Sequence, residues 1–178
     1  MIIDCLSKAI MLFILYNIIA ILSFGIPESL TKTFYKYKER HDGLKFMYYT
    51  FIILMCILLT PCWLKLSNSI ILQDFAVVNI LTLLFAGASP IVFKCDIDDI
   101  DSKPIANLCI KLAAYCYSMF FILWIVLATP FWWIILITLI LVGSIAIITK
   151  TLYTCYTFWI EITAFISTFI AILLEYLM

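Results

Sequence analysis

Long apolar runs, broken only by brief polar stretches, recur from one end of this chain to the other, and they constrain the fold more than any other feature. A helix needs roughly 20 such residues to cross a hydrocarbon core of about 30 Å. Six segments meet that need: Ala9 to Ile26, Leu44 to Leu66, Ser69 to Phe93, Ile105 to Ala128, Phe131 to Thr149, and Leu152 to Met178. Backbone in lipid must satisfy its own hydrogen bonds, and no alternating pattern of short segments suggests a barrel. The expected fold is therefore all-α, a polytopic transmembrane helical bundle of six spans in a single membrane domain, 1–178. The last two boundaries are the tightest, and at one of them Thr129 and Pro130 turn the chain, because proline lacks a donor and suits a first helical turn. Composition agrees: 66% of residues are hydrophobic and 12% charged, against roughly half and a quarter in soluble domains. The first segment has no small-residue cleavage site behind it and is expected to be retained.

The 11 basic and 11 acidic residues balance, so net charge gives no pointer to nucleic acid, and no such partner is expected. Distribution carries the information instead. Six spans put both termini on one side, whose basic residues are only Lys8 and Lys65. The other side holds Lys32, Lys36, Lys38, Arg40, Lys45, Lys94, Lys103, Lys111 and Lys150. The positive-inside rule places that second side in the cytoplasm and both termini outside. Aromatic residues are expected to mark the two interfaces, with Trp63, Trp124, Trp132 and Trp133 at the outer one. Tyr35, Tyr37, Tyr48, Tyr49, Tyr153, Tyr156 and Trp159 belong to the inner one.

Several chemistries lack their residues. The seven cysteines (5, 56, 62, 95, 109, 116 and 155) form no C-x-x-C pair and do not cluster with the single histidine, His41, so zinc and thioredoxin-like sites have no framework. "CDIDDIDSKP", from Cys95 to Pro104, departs from a calcium loop: Ile100 takes an acidic position, and neither the glycine nor the final glutamate follows. A solvated loop in which Asp101 or Ser102 caps the next helix fits better. Neither a metal nor a cofactor is expected. No internal repeat is visible, and the two three-helix halves do not match, so the inverted-repeat pattern of many transporters is missing.

The longest polar stretch, "GIPESLTKTFYKYKERHDG" from Gly25 to Gly43, reads as an interfacial helix over about 27–40. Pro27 suits its first turn, Gly43 its end, and Leu30, Phe34 and Tyr37 form an apolar stripe. Lys32, Lys36, Lys38 and Arg40 would then face lipid phosphates at the inner surface. The alternative is an ordinary loop whose charges only set orientation.

Within the spans, polar residues fall on definable faces, as packed membrane helices require. Asn107, Lys111, Tyr115 and Ser118 share one face of the fourth span. Thr157, Glu161, Ala164, Thr168 and Ala171 share one face of the sixth, and Asn79, Thr82, Ala86 and Ser89 one face of the third. Helix rise puts Lys111 and Glu161 at roughly 9 and 13 Å from the cytoplasmic boundary. Unpaired charge at that depth is costly, so the two are expected to pair, in a polar pocket with Asn107, Tyr115, Ser89 and Asn79 that takes a small-molecule ligand. A purely structural salt bridge, with Lys111 snorkelling, is the alternative. Asp74 reads as an interfacial charge within reach of Lys65 or Lys8.

"GIPESLTKTFY" after the first span, "LLFAGASPIVF" closing the third and "FWIEITAFISTFIAILLE" near the end resemble, in that order, small integral membrane proteins of gut Bacteroidales and their tailed, crAss-like phages. The resemblance implies a multi-pass protein of a bacterial inner membrane and no catalytic residues; independently of it, membrane lipids are the expected partners. Three functions follow for such a chain. One is a non-enzymatic bundle that binds or passes a small solute or modifies an envelope. The others are an intramembrane lipid-modifying enzyme, which usually needs several histidines, and a holin-like pore, for which six spans is large.

Overall fold

The computed structural model describes residues 2–40, 45–92 and 104–178, and all regular structure within them is helical. The elements are α1 (Ile2–Phe24), α2 (Thr33–Arg40), α3 (Lys45–Leu66), α4 (Ile70–Val92), α5 (Pro104–Ala128), α6 (Trp133–Ile148) and α7 (Tyr156–Leu177). Five of these (α1, α3, α4, α5 and α7) are long and apolar enough to cross a membrane. The segment expected as a fifth span contributes only the 16-residue α6, about 24 Å of helix at 1.5 Å per residue. The acidic stretch from Cys95 to Ser102, His41 and Gly43 lie outside the described residues, as do the side chains of Lys38, Arg40 and Asn107.

Helix α7 is the hub. It packs against α1, α3, α5 and α6, while α4 closes the bundle against α3 and α5. The face expected on it is buried throughout, from Thr157 through Glu161, Ala164 and Thr168 to Ala171. Phe165 sits in a knot of rings, with centroids 5.0 Å from Phe13, 5.3 Å from Phe121, 5.9 Å from Tyr117 and 6.0 Å from Phe169. The perimeter is apolar, as lipid contact demands: Met11, Leu22, Ile57, Ile71, Leu81, Leu112 and Ile140 are all exposed.

Local chemistry sets the element ends. Helix α1 starts before the apolar run because Asp4 and Lys8 pair at 2.9 Å one turn apart, which extends the helix past its hydrophobic part. That pair also occupies Lys8, and Asp74 makes no ion pair among the described residues. The helix ends at Gly25, whose φ of 73° suits the residue that terminates a helix in left-handed geometry. Helix α4 contains Pro90, which cannot donate to the carbonyl four residues back. That carbonyl, on Ala86, accepts instead from the hydroxyls of Tyr48 at 3.0 Å and Ser89 at 2.8 Å. Nearby, α3 and α4 approach closely at Gly87, where a Cβ would meet Ile52 Cγ2 at 2.8 Å.

Two sequence expectations fail here. The stretch after Gly25 is not a helix from Pro27: residues 25–32 form a strap of turns and α2 begins at Thr33. Ser29 Oγ takes the Lys32 amide at 3.0 Å, and such side-chain capping favours a turn over helix. The strap dives inward, so that Ser29, Leu30, Thr31 and Thr33, then Phe34, Tyr35 and Tyr37, are all buried. Burial pushes the Tyr37 phenol above its ordinary pKa. Only Lys32 and Lys36 of the expected basic stripe are seen to be partly exposed. Secondly, Trp63 and Trp124 are no belt residues but fully buried. Trp63 packs edge-on against Phe121 at 4.9 Å, and Trp124 donates its indole N–H to Ser67 Oγ at 3.2 Å. Trp132 and Trp133 are exposed, as an interface position requires.

Candidate functional site

The strap and the start of α7 are stitched together by groups each would otherwise leave unpaired. A helix's first amides have no partner within the helix, and the Phe158 amide finds one in the Glu28 carbonyl at 3.0 Å. Beside it the Cys155 thiol donates to the Ile26 carbonyl at 3.5 Å. In the other direction the Leu30 amide donates to Glu161 Oε2 at 2.6 Å, in the short range of bonds to a carboxylate. Glu161 is fully buried, and its second oxygen, Oε1, has no hydrogen-bond partner among the described residues.

Among the described residues the surroundings of Glu161 are hydroxyls rather than cations. Thr31 and Tyr117 lie close enough to act on the carboxyl directly. Tyr48 and Tyr16 lie within its electrostatic reach. Each is held in place: Tyr48 by the Ala86 carbonyl, Tyr16 by a bond shared with Thr33 Oγ1 and by stacking on Phe51 at 4.0 Å. The result is a carboxyl in a ring of phenols and threonines, roofed by the strap.

Lys111 does not enter this ring. Its ammonium lies 5.7 Å from the Tyr156 ring centroid, within the range of a cation–π contact, and the ion pair with Glu161 is not formed. Register is the reason. Tyr115 and Thr157 share a hydrogen bond at 3.2 Å, while Tyr117 and Phe121 both meet Phe165, so α5 and α7 run parallel with Tyr115 level with Thr157. Lys111 lies one turn before that level and Glu161 one turn after it, about 12 Å apart along the axes.

The remaining expected site residues are dispersed. Tyr115 bridges the two levels through Thr157. Ser89 is separated from Tyr48 by the Ala86 carbonyl they share, one step removed from Glu161. Asn79 is fully buried on α4, with both amide atoms unpartnered among the described residues, and no hydrogen bond among those residues links it to Glu161. Tyr16, Tyr48, Tyr117 and the Leu30 amide belong to the site but were not singled out from sequence. The signal for the strap was the Ser/Thr alternation in "ESLTKT", whose hydroxyls favour turns over helix. Comparison with family models, curated proteins and solved structures found no match.

Proposed function

We propose that this chain is a non-enzymatic bundle of a bacterial inner membrane that binds and passes a small solute, with Glu161 as the group that takes up a proton or a small cation during the cycle. One observation carries the reading: Glu161 is buried with a free Oε1 and no cation beside it among the described residues. A bare charge in a membrane helix costs about 3 kcal/mol on insertion scales, and ionisable groups at such positions mark ion and proton pathways. A structural role would be served more cheaply by a neutral side chain.

The reading includes six crossings with both termini outside. Phe131 and Trp132 before α6 and Thr149 to Thr151 after it lengthen its crossing, and a bilayer adapts to a few ångströms of mismatch at modest cost. The nine-to-two bias of basic residues supports the orientation. A phosphatase fused after Met178 is expected to be active on the periplasmic side, and fluorescence of a cytoplasmic reporter at that position would overturn the orientation. For the function itself, proteoliposomes with a trapped pH dye and an imposed potential test proton uptake. Wild type is expected to acidify faster than empty vesicles and Glu161→Gln to match them; equal rates for wild type and variant would remove Glu161 from the pathway.

A further inference from the structure

We propose that the groove between α1 and α3 holds one acyl chain of an anionic phospholipid, taken from the leaflet on the α2 side of the membrane. The inference does not rest on the transport reading. It needs only that α1 and α3 lie in a bilayer, for which both are long and apolar enough.

Shape is the first reason. The groove encloses about 290 Å³, near the lower end of the range for small-ligand sites. Its floor is the stacked pair Tyr16 and Phe51, both buried, with ring centroids 4.0 Å apart. Phe165 of α7 stands behind Phe51 at 6.3 Å, while Leu15 and Phe46 at the rim are exposed, so the mouth opens to the apolar perimeter. Leu12 and Met47 form half-buried walls. The polar residues described in the lining are Thr50, on the exposed rim, and Tyr16, whose hydroxyl is engaged by Thr33 Oγ1. Apolar surface gains no hydrophobic energy by exchanging one lipid chain for another, so a chain is held there by packing contacts. A preformed groove over two stacked rings supplies more of these than a convex helix face, and the flexible Met47 side chain can fit itself to the occupant.

Depth and charge identify the occupant. Phe46 and Met47 lie in the first turn of α3, and Leu12 lies near the midpoint of α1, so the groove starts at one end of the two helices and stops halfway. The midpoint of a hydrocarbon core of about 30 Å is where one leaflet gives way to the other, and a chain from a single leaflet has this extent. The end of the groove away from the midpoint lies beside α2. That helix packs on α3, and its Tyr37 ring sits 4.9 Å from Phe24 and 6.2 Å from Tyr16. From Lys36 to Lys45 the sequence has four basic residues against two acidic, and Lys36 makes no ion pair among the described residues. Excess positive charge at headgroup level favours an anionic lipid.

The full-length protein in neutral detergent is offered dioleoyl phosphatidylglycerol and dioleoyl phosphatidylcholine, and bound lipid is counted by native mass spectrometry. Wild type is expected to retain phosphatidylglycerol in preference. Thr50→Trp fills the groove from its exposed rim and is expected to lower that retention about tenfold by displacing the packed chain. Ile57→Trp, also exposed but farther along α3 and outside the groove, is expected to leave it unchanged. Circular dichroism checks that both variants fold, and Leu15→Trp on the facing rim carries the same test should Thr50→Trp fail. Lys36→Gln is expected to lower retention of phosphatidylglycerol about fivefold, as for loss of one basic residue near the surface, and to leave phosphatidylcholine unaffected. Dihexanoyl phosphatidylglycerol, which has the headgroup without a chain to fill the groove, is expected not to be retained. Retention of it as strong as that of the dioleoyl lipid, or equal losses in the Thr50 and Ile57 variants, would overturn the groove as the site. Equal retention of the two dioleoyl lipids by wild type would overturn the anionic headgroup.

Discussion

Glu161→Gln and Glu161→Leu, compared side by side, separate a carboxyl kept for stability from one kept for another purpose. Glutamine has the same shape and keeps an acceptor for the Leu30 amide, which now bonds Oε2 at 2.6 Å. If the carboxyl needs no charge to hold the bundle, the exchange costs no more than one ordinary hydrogen bond, about 1 kcal/mol. Leucine leaves the Leu30 amide buried without an acceptor, at about 1–3 kcal/mol. The expected order is therefore wild type and Glu161→Gln close together, with Glu161→Leu clearly below. Reversible unfolding in mixed micelles of rising sodium dodecyl sulfate content measures this, read by the fluorescence of Trp63 and Trp124, both fully buried. A loss above about 3 kcal/mol in Glu161→Gln would match a broken buried ion pair. It would refute the reasoning, because the charge would then be structural and its partner a cation from outside the described residues.

Two further substitutions test the packing that positions this site. Gly87→Ala puts a methyl group against Ile52 Cγ2 at 2.8 Å and is expected to lose about 1–3 kcal/mol by overpacking, with Ile52→Ala relieving part of that loss in the same micelle assay. Lys150→Gly acts in the opposite direction. Lys150 has a φ of 57° at the end of α6, where the amides of Thr151 and Lys150 bond back to the Ala146 and Ile147 carbonyls at 3.0 Å each. Glycine takes that left-handed position without Cβ crowding, so the variant is expected to gain about 1 kcal/mol; a loss would mean the lysine side chain contributes more than its backbone costs.

The helices and their inward faces were legible because hydrophobic length and i, i+4 spacing are properties of a single segment. Glu161, Thr157 and Ala164 could be assigned to one buried face with no knowledge of what lay opposite. The identity of the partners could not. Depth counted along each helix put Lys111 and Glu161 at similar levels, but relative level depends on how two helices slide past one another. Here the Tyr115–Thr157 bond and the packing of Phe165 between Tyr117 and Phe121 fix that register, and they separate the two charges by two turns. The tryptophans misled for a related reason. An indole near the end of a span suits either a lipid interface or a bundle end, and Ser67 beside Trp124 decides for the latter.

The strap shows why the most polar stretch was the hardest to interpret. Its composition fits an amphipathic surface helix, and α2 keeps that character over Thr33–Arg40. The preceding residues answer to a different demand, the unpaired groups at the start of α7. Glu28 offers a carbonyl to Phe158, and Leu30 offers an amide to Glu161. Between them Ser29 borders the small polar cleft that Lys111 and Thr154 also line. Three consecutive residues thus join the buried carboxyl to the polar mouth, and no lateral shift of the strap moves one without the other.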